Sequence, residues 1–192
     1  NSRPRSVGDS LIFLYPFNLK TPSEYFNCFK ENQVKFLIKI LKNLTNKLNR
    51  YNLTNQQEYL SSYFPRLNSD IHGWIDWSLH FEDLYSFINA FGDPHDGCCT
   101  YYKKFKVLIK DALPNYEDSK LNSYKSGMIY RKGPNWICVA TNGGSIIIEK
   151  VIYKNQNIIG KLKVGERFFT PTQKIENKFR RVFYYSKGLV KK

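Results

Sequence analysis

The chain has 192 residues, of which 42% are hydrophobic, 16% aromatic and 24% charged, with only 11 Gly and 8 Pro. That is enough apolar material for one ordinary domain, or a compact piece with a helical arm, and it excludes a long multidomain enzyme and a largely disordered chain. Thirty Lys and Arg against 16 Asp and Glu leave a net charge of +14, which favours anionic partners such as nucleic acid, phosphorylated sugars or acidic lipids. The same sequence holds 18 Asn, 16 Ile and only 3 Ala, and 22 of its basic residues are Lys. Coding bias therefore accounts for the charge as readily as binding does, and lysines scattered from Lys20 to Lys192 read as a solvated surface.

Residues 11–15, Leu-Ile-Phe-Leu-Tyr, read as a buried strand ended by Pro16. Thr21 as N-cap, Pro22 at the first helical position and Glu24 closing a capping box then start a long helix. Phe26, Phe29, Phe36, Leu37, Ile40, Leu41, Leu44 and Leu48 recur at three- and four-residue steps to about Asn49, and this single apolar stripe needs a partner surface. Residues 51–70 have no period and read as a long loop. Ser78 is expected to cap a second helix with Phe81, Leu84, Tyr85, Ile88 and Phe91 on one face, stopped at Gly92-Asp93-Pro94.

The remainder reads as mostly β. A hairpin is expected from 98–102 and 104–113, with Phe105, Val107 and Ile109 facing inward, then strands over 128–131, 136–141 and 145–154. Gly133-Pro134-Asn135 and Asn142-Gly143-Gly144 are the turns, and 164–169 is a closing strand. Five or six short strands in about ninety residues fit a small, partly open OB-like barrel. The tail 170–185 is compatible with helix or strand. The fold class is α+β, divided into 1–62, an interdomain segment 63–97, and a barrel over 98–192.

No apolar run nears the roughly 20 residues that cross a bilayer, and Ser2-Arg3-Pro4-Arg5 begins no signal pattern. A soluble, cytoplasmic protein with no membrane partner is expected, and the start at Asn1 reads as a position within a longer polypeptide. Cys28, Cys98, Cys99 and Cys138 contain no C-x-x-C pair, and His72, His80 and His95 do not follow at zinc spacings, so no metal site is expected. Cys98 and Cys99 would face opposite sides of a strand, which favours reduced, buried thiols over a disulfide between them.

Three ordered motifs carry the functional reading: Tyr63-Phe64-Pro65-Arg66-Leu67, Gly73-Trp74-Ile75-Asp76-Trp77-Ser78, and the run from Phe87 through Gly92-Asp93-Pro94-His95-Asp96-Gly97 to Cys98. With Gly127-Met128-Ile129, the stretch from Cys138 to Ile148, and Val164-Gly165-Glu166-Arg167-Phe168, the series resembles the latter half of the formyltransferases that use 10-formyltetrahydrofolate, both the sugar N-formyltransferases and methionyl-tRNA formyltransferase. The resemblance implies the end of a Rossmann-like catalytic domain, a linker and a C-terminal barrel. It also implies catalysis by an Asn-x-His and by an Asp in an Asp-x-Gly-Asp turn. No Asn-x-His occurs in the 192 residues, and Gly8-Asp9 fits the end of that turn only with Ser6 at the place of the catalytic Asp. Either the register shifts there or this copy is catalytically incomplete, because a hydroxyl cannot supply a carboxylate's charge to an imidazole.

No residue of this chain is therefore assigned a catalytic role. Binding candidates are Arg66, Trp74, Asp76, Trp77 and His95. Arg66 could grip a phosphate or carboxylate bidentately or simply pair with Asp76; Trp74 and Trp77 could stack on a base or sugar ring or belong to the core. Asp76 is expected to accept hydrogen bonds at a helix start, and His95, between Asp93 and Asp96 where the family has an aromatic residue, is a turn residue or an acid–base group.

The resemblance implies formyl transfer from 10-formyltetrahydrofolate to the amine of a nucleotide-linked amino sugar, with the folate bound by the full-length protein and no cofactor bound by this chain alone. A homodimer through the first helix is the expected assembly. Two alternatives stand beside this reading: a tRNA-binding barrel using Tyr101, Tyr102 and Trp136 as stacking platforms near Lys103 and Lys104, and a non-catalytic remnant or interaction domain.

Overall fold

In the computed structural model, the structure describes residues 6–7, 14–45, 54–55, 59, 67–118, 121–179, 183–185 and 188–190. Gly8, Asp9 and Arg66, three of the predicted site residues, lie outside them, as do 11–13 of the first predicted strand. The two described residues of that strand, Leu14 and Tyr15, are irregular and exposed rather than buried. The chain forms two compact units, residues 1–19 with 24–65 and residues 20–23 with 66–192.

The first unit contains most of α1 (Pro22–Thr45) and a short antiparallel pair of β1 (Ser6–Val7) with β2 (Thr54–Asn55). Pro22 supplies a preset φ at the first position, Glu24 lies in the first turn and Lys42 in the last, where each charge complements the helix dipole. The apolar stripe is present, but Phe26, Phe29, Leu37 and Leu41 remain exposed. The stretch 51–70, expected to be all loop, holds β2 and the start of α2 (Ser69–His72).

In the second unit, α2 and α3 (Phe81–Ala90) precede a sheet of β3 (Cys98–Tyr102), β4 (Phe105–Asn115), β5 (Ile129–Lys132), β6 (Ile137–Thr141), β7 (Gly144–Tyr153), β8 (Gln156–Asn157) and β9 (Phe168–Phe169). After it come α4 (Thr172–Lys178) and the hairpin of β10 (Phe183–Tyr185) with β11 (Gly188–Val190), so the tail is helix and then strand. The main order is β5-β6-β7-β4-β3-β9, all antiparallel neighbours, with β8 folded onto β7.

The two ends of this order meet through residues 165–168. Phe168 N–H donates to Gly127 C=O, Ile129 N–H to Glu166 C=O and Gly165 N–H to Ile129 C=O, each at 2.8 Å. An edge that would otherwise expose unpaired backbone is thereby closed into the small OB-like barrel expected from the strand spacing. The predicted closing strand is shorter than 164–169, because Val164-Gly165 is a turn with Gly165 at φ +88°.

Ile146, Ile148, Ile129, Ile137, Val107 and Ile109 fill the barrel, and α3 covers it with Phe81, Leu84 and Ile88. That helix begins two residues later than expected, at Phe81 with His80 in the cap position. Ser78 instead sits in a turn where its N–H (3.0 Å) and Oγ (2.6 Å) both donate to Asp76 Oδ1. Phe105, expected inside with Val107 and Ile109, is 49% exposed and packs its ring on Tyr153.

Candidate functional site

Asp76 lies between two buried tryptophans whose packing fixes its position. Trp74 donates Nε1–H to Asp70 C=O (2.8 Å) and stacks on Tyr101, which stacks in turn on Phe169. Trp77 donates Nε1–H to Thr100 Oγ1 (3.0 Å) and lies nearly parallel to Phe168. Both indoles are thus spent on the core, with 3% and 7% of their surface exposed, and neither offers an open face to a base or sugar. The half-buried Asp76 emerges from this aromatic base with one carboxylate oxygen holding the Ser78 turn.

On the other side of that turn a groove of about 410 Å³ opens against residues 167–175. It is lined by Asp76, Ser78, Ser126, Arg167, Phe169 and Thr170, among others. Ser126 Oγ is buried and makes no hydrogen bond. Burial holds Lys178 below the usual lysine range, opposed by the negative charge of Asp76. The structure thus brings Asp76 and Trp77 of the predicted residues to one place, together with Arg167 and Ser126, which sequence reasoning did not single out. The run 164–168 was legible as a family motif, but only the barrel's closure sets its arginine beside the Asp76 turn.

His95 is exposed at a turn, its N–H bonded to Gly92 C=O, beside a separate cavity of about 250 Å³ that also touches Asn68 and Asp96. His72 accepts from Asn68 N–H through Nδ1 (2.8 Å), and burial lowers its pKa. His80 packs on Phe81. Of the proposed stacking platforms, Tyr102 is buried with its hydroxyl on Glu166, while Trp136, which packs closely over Gly133, and Tyr101 are both half-buried. Lys103 is tied to Glu166 at 2.7 Å.

In a second polar cluster, Tyr130, Asn115 and Arg131 all donate to Asp118. Tyr130 is the extra residue of a bulge in β5, which turns its ring toward Ser145 and Asp118. Burial, followed by its hydrogen bond to Asp118, pushes Tyr130 up to about 12. The same bond, with the Arg131 charge, holds Asp118 below the usual carboxylate range.

Cys98 and Cys99 point to opposite sides, Cys98 toward Phe87 C=O and Cys99 toward Ser69 C=O, and burial raises both thiol pKa values. Among the described residues no group of three His, Cys, Asp or Glu is placed to hold a metal ion, and no helix is long and apolar enough to cross a membrane.

Residues 69–163 match the model of the formyl transferase C-terminal domain. The chain carries this domain of the formyltransferase family, the latter half that the motifs around Asp76 and Cys98 resemble. Among solved structures, a multiply substituted HypX from Aquifex aeolicus superposes with a TM-score of 0.57 at 20% identity, over 73% of this chain and 24% of that one. HypX from the same organism in complex with tetrahydrofolic acid gives 0.49 at 19% identity, over 63% and 20%. At 20% identity the first of these likenesses is one of fold alone, and the chain spans a quarter or less of each of the two proteins. A search of curated proteins finds no match.

Proposed function

We propose that this chain is the C-terminal part of an N-formyltransferase that moves a formyl group from 10-formyltetrahydrofolate to the amine of a nucleotide-linked amino sugar, in the cytoplasm. The observation that carries the reading is the formyl transferase C-terminal domain over 69–163. The 192 residues contain no Asn-x-His, the motif to which the resemblance assigns acyl transfer. Donor binding and acyl transfer therefore belong, in this proposal, to a catalytic domain outside this chain. What these residues contribute is a rigid anchor, in which the Asp76 turn and α3 fasten the interdomain segment onto the barrel. Self-association through the exposed face of α1 is part of the same proposal, supported by the large apolar side chains left uncovered there, Phe26, Phe29, Leu37 and Leu41 among them.

The test is an assay of the intact natural polypeptide with the folate donor and a set of nucleotide-linked amino sugars, reading N-formylated product. Turnover is expected from the intact protein and none from the 192-residue chain. A parent polypeptide lacking an Asn-x-His would sink the reading and leave a non-catalytic remnant.

A tRNA-binding role is the second reading, supported by the Tyr101–Phe169 stack and by Lys106 and Lys174 placed over Trp74 beside it. It requires affinity for tRNA that falls with salt at a log–log slope of about 0.7 to 0.9 per phosphate neutralised. Absence of binding at low salt removes it.

A further inference from the structure

We propose that the groove beside the Asp76 turn is a binding site for a monosaccharide phosphate. Each of its polar groups has capacity left over. Arg167 makes no ion pair among the described residues, although Asp70, Asp93, Asp111, Asp118 and Glu166 each hold a lysine or arginine. Oδ1 of Asp76 is occupied by Ser78, whereas Oδ2 accepts no hydrogen bond from a described residue. Ser126 Oγ is buried without a partner, a condition that folded proteins rarely tolerate unless a ligand or water completes the bond. Thr170 Oγ1 shares one contact with Thr100 at 3.3 Å and retains further capacity.

This set reads as one ligand. An unpaired guanidinium suits the two oxygens of a phosphate. A free carboxylate oxygen and two hydroxyls suit the vicinal hydroxyls of a sugar, and the partly exposed ring of Phe169 offers a flat face to the sugar's C–H groups. The volume of about 410 Å³ lies within the range of small-molecule clefts. The inference does not rest on formyl transfer, since binding to this chain needs neither donor nor turnover.

The experiment is calorimetric titration of the full 192-residue chain with glucose 6-phosphate, inorganic phosphate and glucose, each against the unaltered chain, Arg167→Gln, Ser126→Ala and Lys104→Gln. Arg167 and Lys104 are exposed, so both charge variants are expected to fold; Lys104 lies in the β3–β4 turn and does not line the groove. The expected result is saturable binding of glucose 6-phosphate at least about tenfold tighter than either fragment, lost by about tenfold in Arg167→Gln, weakened in Ser126→Ala and unchanged in Lys104→Gln. Equal affinity for inorganic phosphate would show an anion contact only, and equal losses in Arg167→Gln and Lys104→Gln would show general attraction to a basic protein. Either of those, or no saturation with glucose 6-phosphate, overturns the proposal.

Discussion

Asn89 is a polar residue buried on α3, and its amide is bonded at both ends to one backbone position: Nδ2 donates to Ala112 C=O (2.9 Å) and Oδ1 accepts from Ala112 N–H (3.0 Å). Asn89→Leu would strand both groups in the core, so a loss of about 2 kcal/mol or more is expected in urea unfolding. Gly143 is equally constrained, at φ +77° with the His80 ring against the place where a Cβ would stand. Gly143→Ala should cost more than about 1 kcal/mol in the same measurement.

Tyr130 gives the molecule an alkaline limit. Below its ordinary value of 10 the phenol is protonated in both states; above it the unfolded chain loses the proton while the folded chain keeps it up to about 12. The Tyr130 contribution to stability is therefore full below pH 10 and lost as pH rises to 12. Asp118 behaves oppositely, its contribution being lost as pH falls through its depressed value. Tyr130→Phe should flatten the alkaline limb of a stability–pH profile and raise the Asp118 pKa seen by NMR. Asn89 and Tyr130 were not legible as special in the sequence, because their partners lie 23 and 12 residues away.

At the scale of the element, β4 and β7 show where strict alternation misleads. Val107 and Ile109 face the core, but so does Ala112, because the inward parity slips by one at Asp111, whose φ is +56°. β7 slips at the same level, from Ile146 and Ile148 to Val151, so the register Ile109↔Val151 and Ala112↔Ile148 survives. Lys150 and Asp111 are ion-paired across the slip at 2.8 Å. The coiling this allows brings Ala112 under Asn89, and no two-residue period could have announced it. Ile148, fully buried in the cluster, is the element's most sensitive test: Ile148→Ala should cost about 2 to 5 kcal/mol, read as a lowered urea midpoint.

The long helix α1 was legible from its period and its Pro22 start, yet its apolar face stays exposed in this chain. Sedimentation at rising concentration should show self-association, and Leu37→Glu with Leu41→Glu should abolish it without altering barrel stability. A monomer at all concentrations would remove the homodimer from the proposed function.

Over the whole molecule, the succession of strands in the barrel, the Asn-Gly turn between β6 and β7 and the opposite facing of Cys98 and Cys99 could be read from residue types alone, because each depends on neighbours within a few positions. The family could also be read, from the sequence of motifs between Gly73 and Arg167, and the domain match over 69–163 bears it out. The groove could not. Asp76, Ser126 and Arg167 are separated by about fifty and then about forty residues, and they meet only because residues 165–168 seal the strand order against residues 127–129. Local chemistry thus determined which strands, turns and helices form. Barrel closure, a set of backbone hydrogen bonds between distant segments, decided that Trp74 and Trp77 belong to the core and that Asp76 and Arg167 share a cleft.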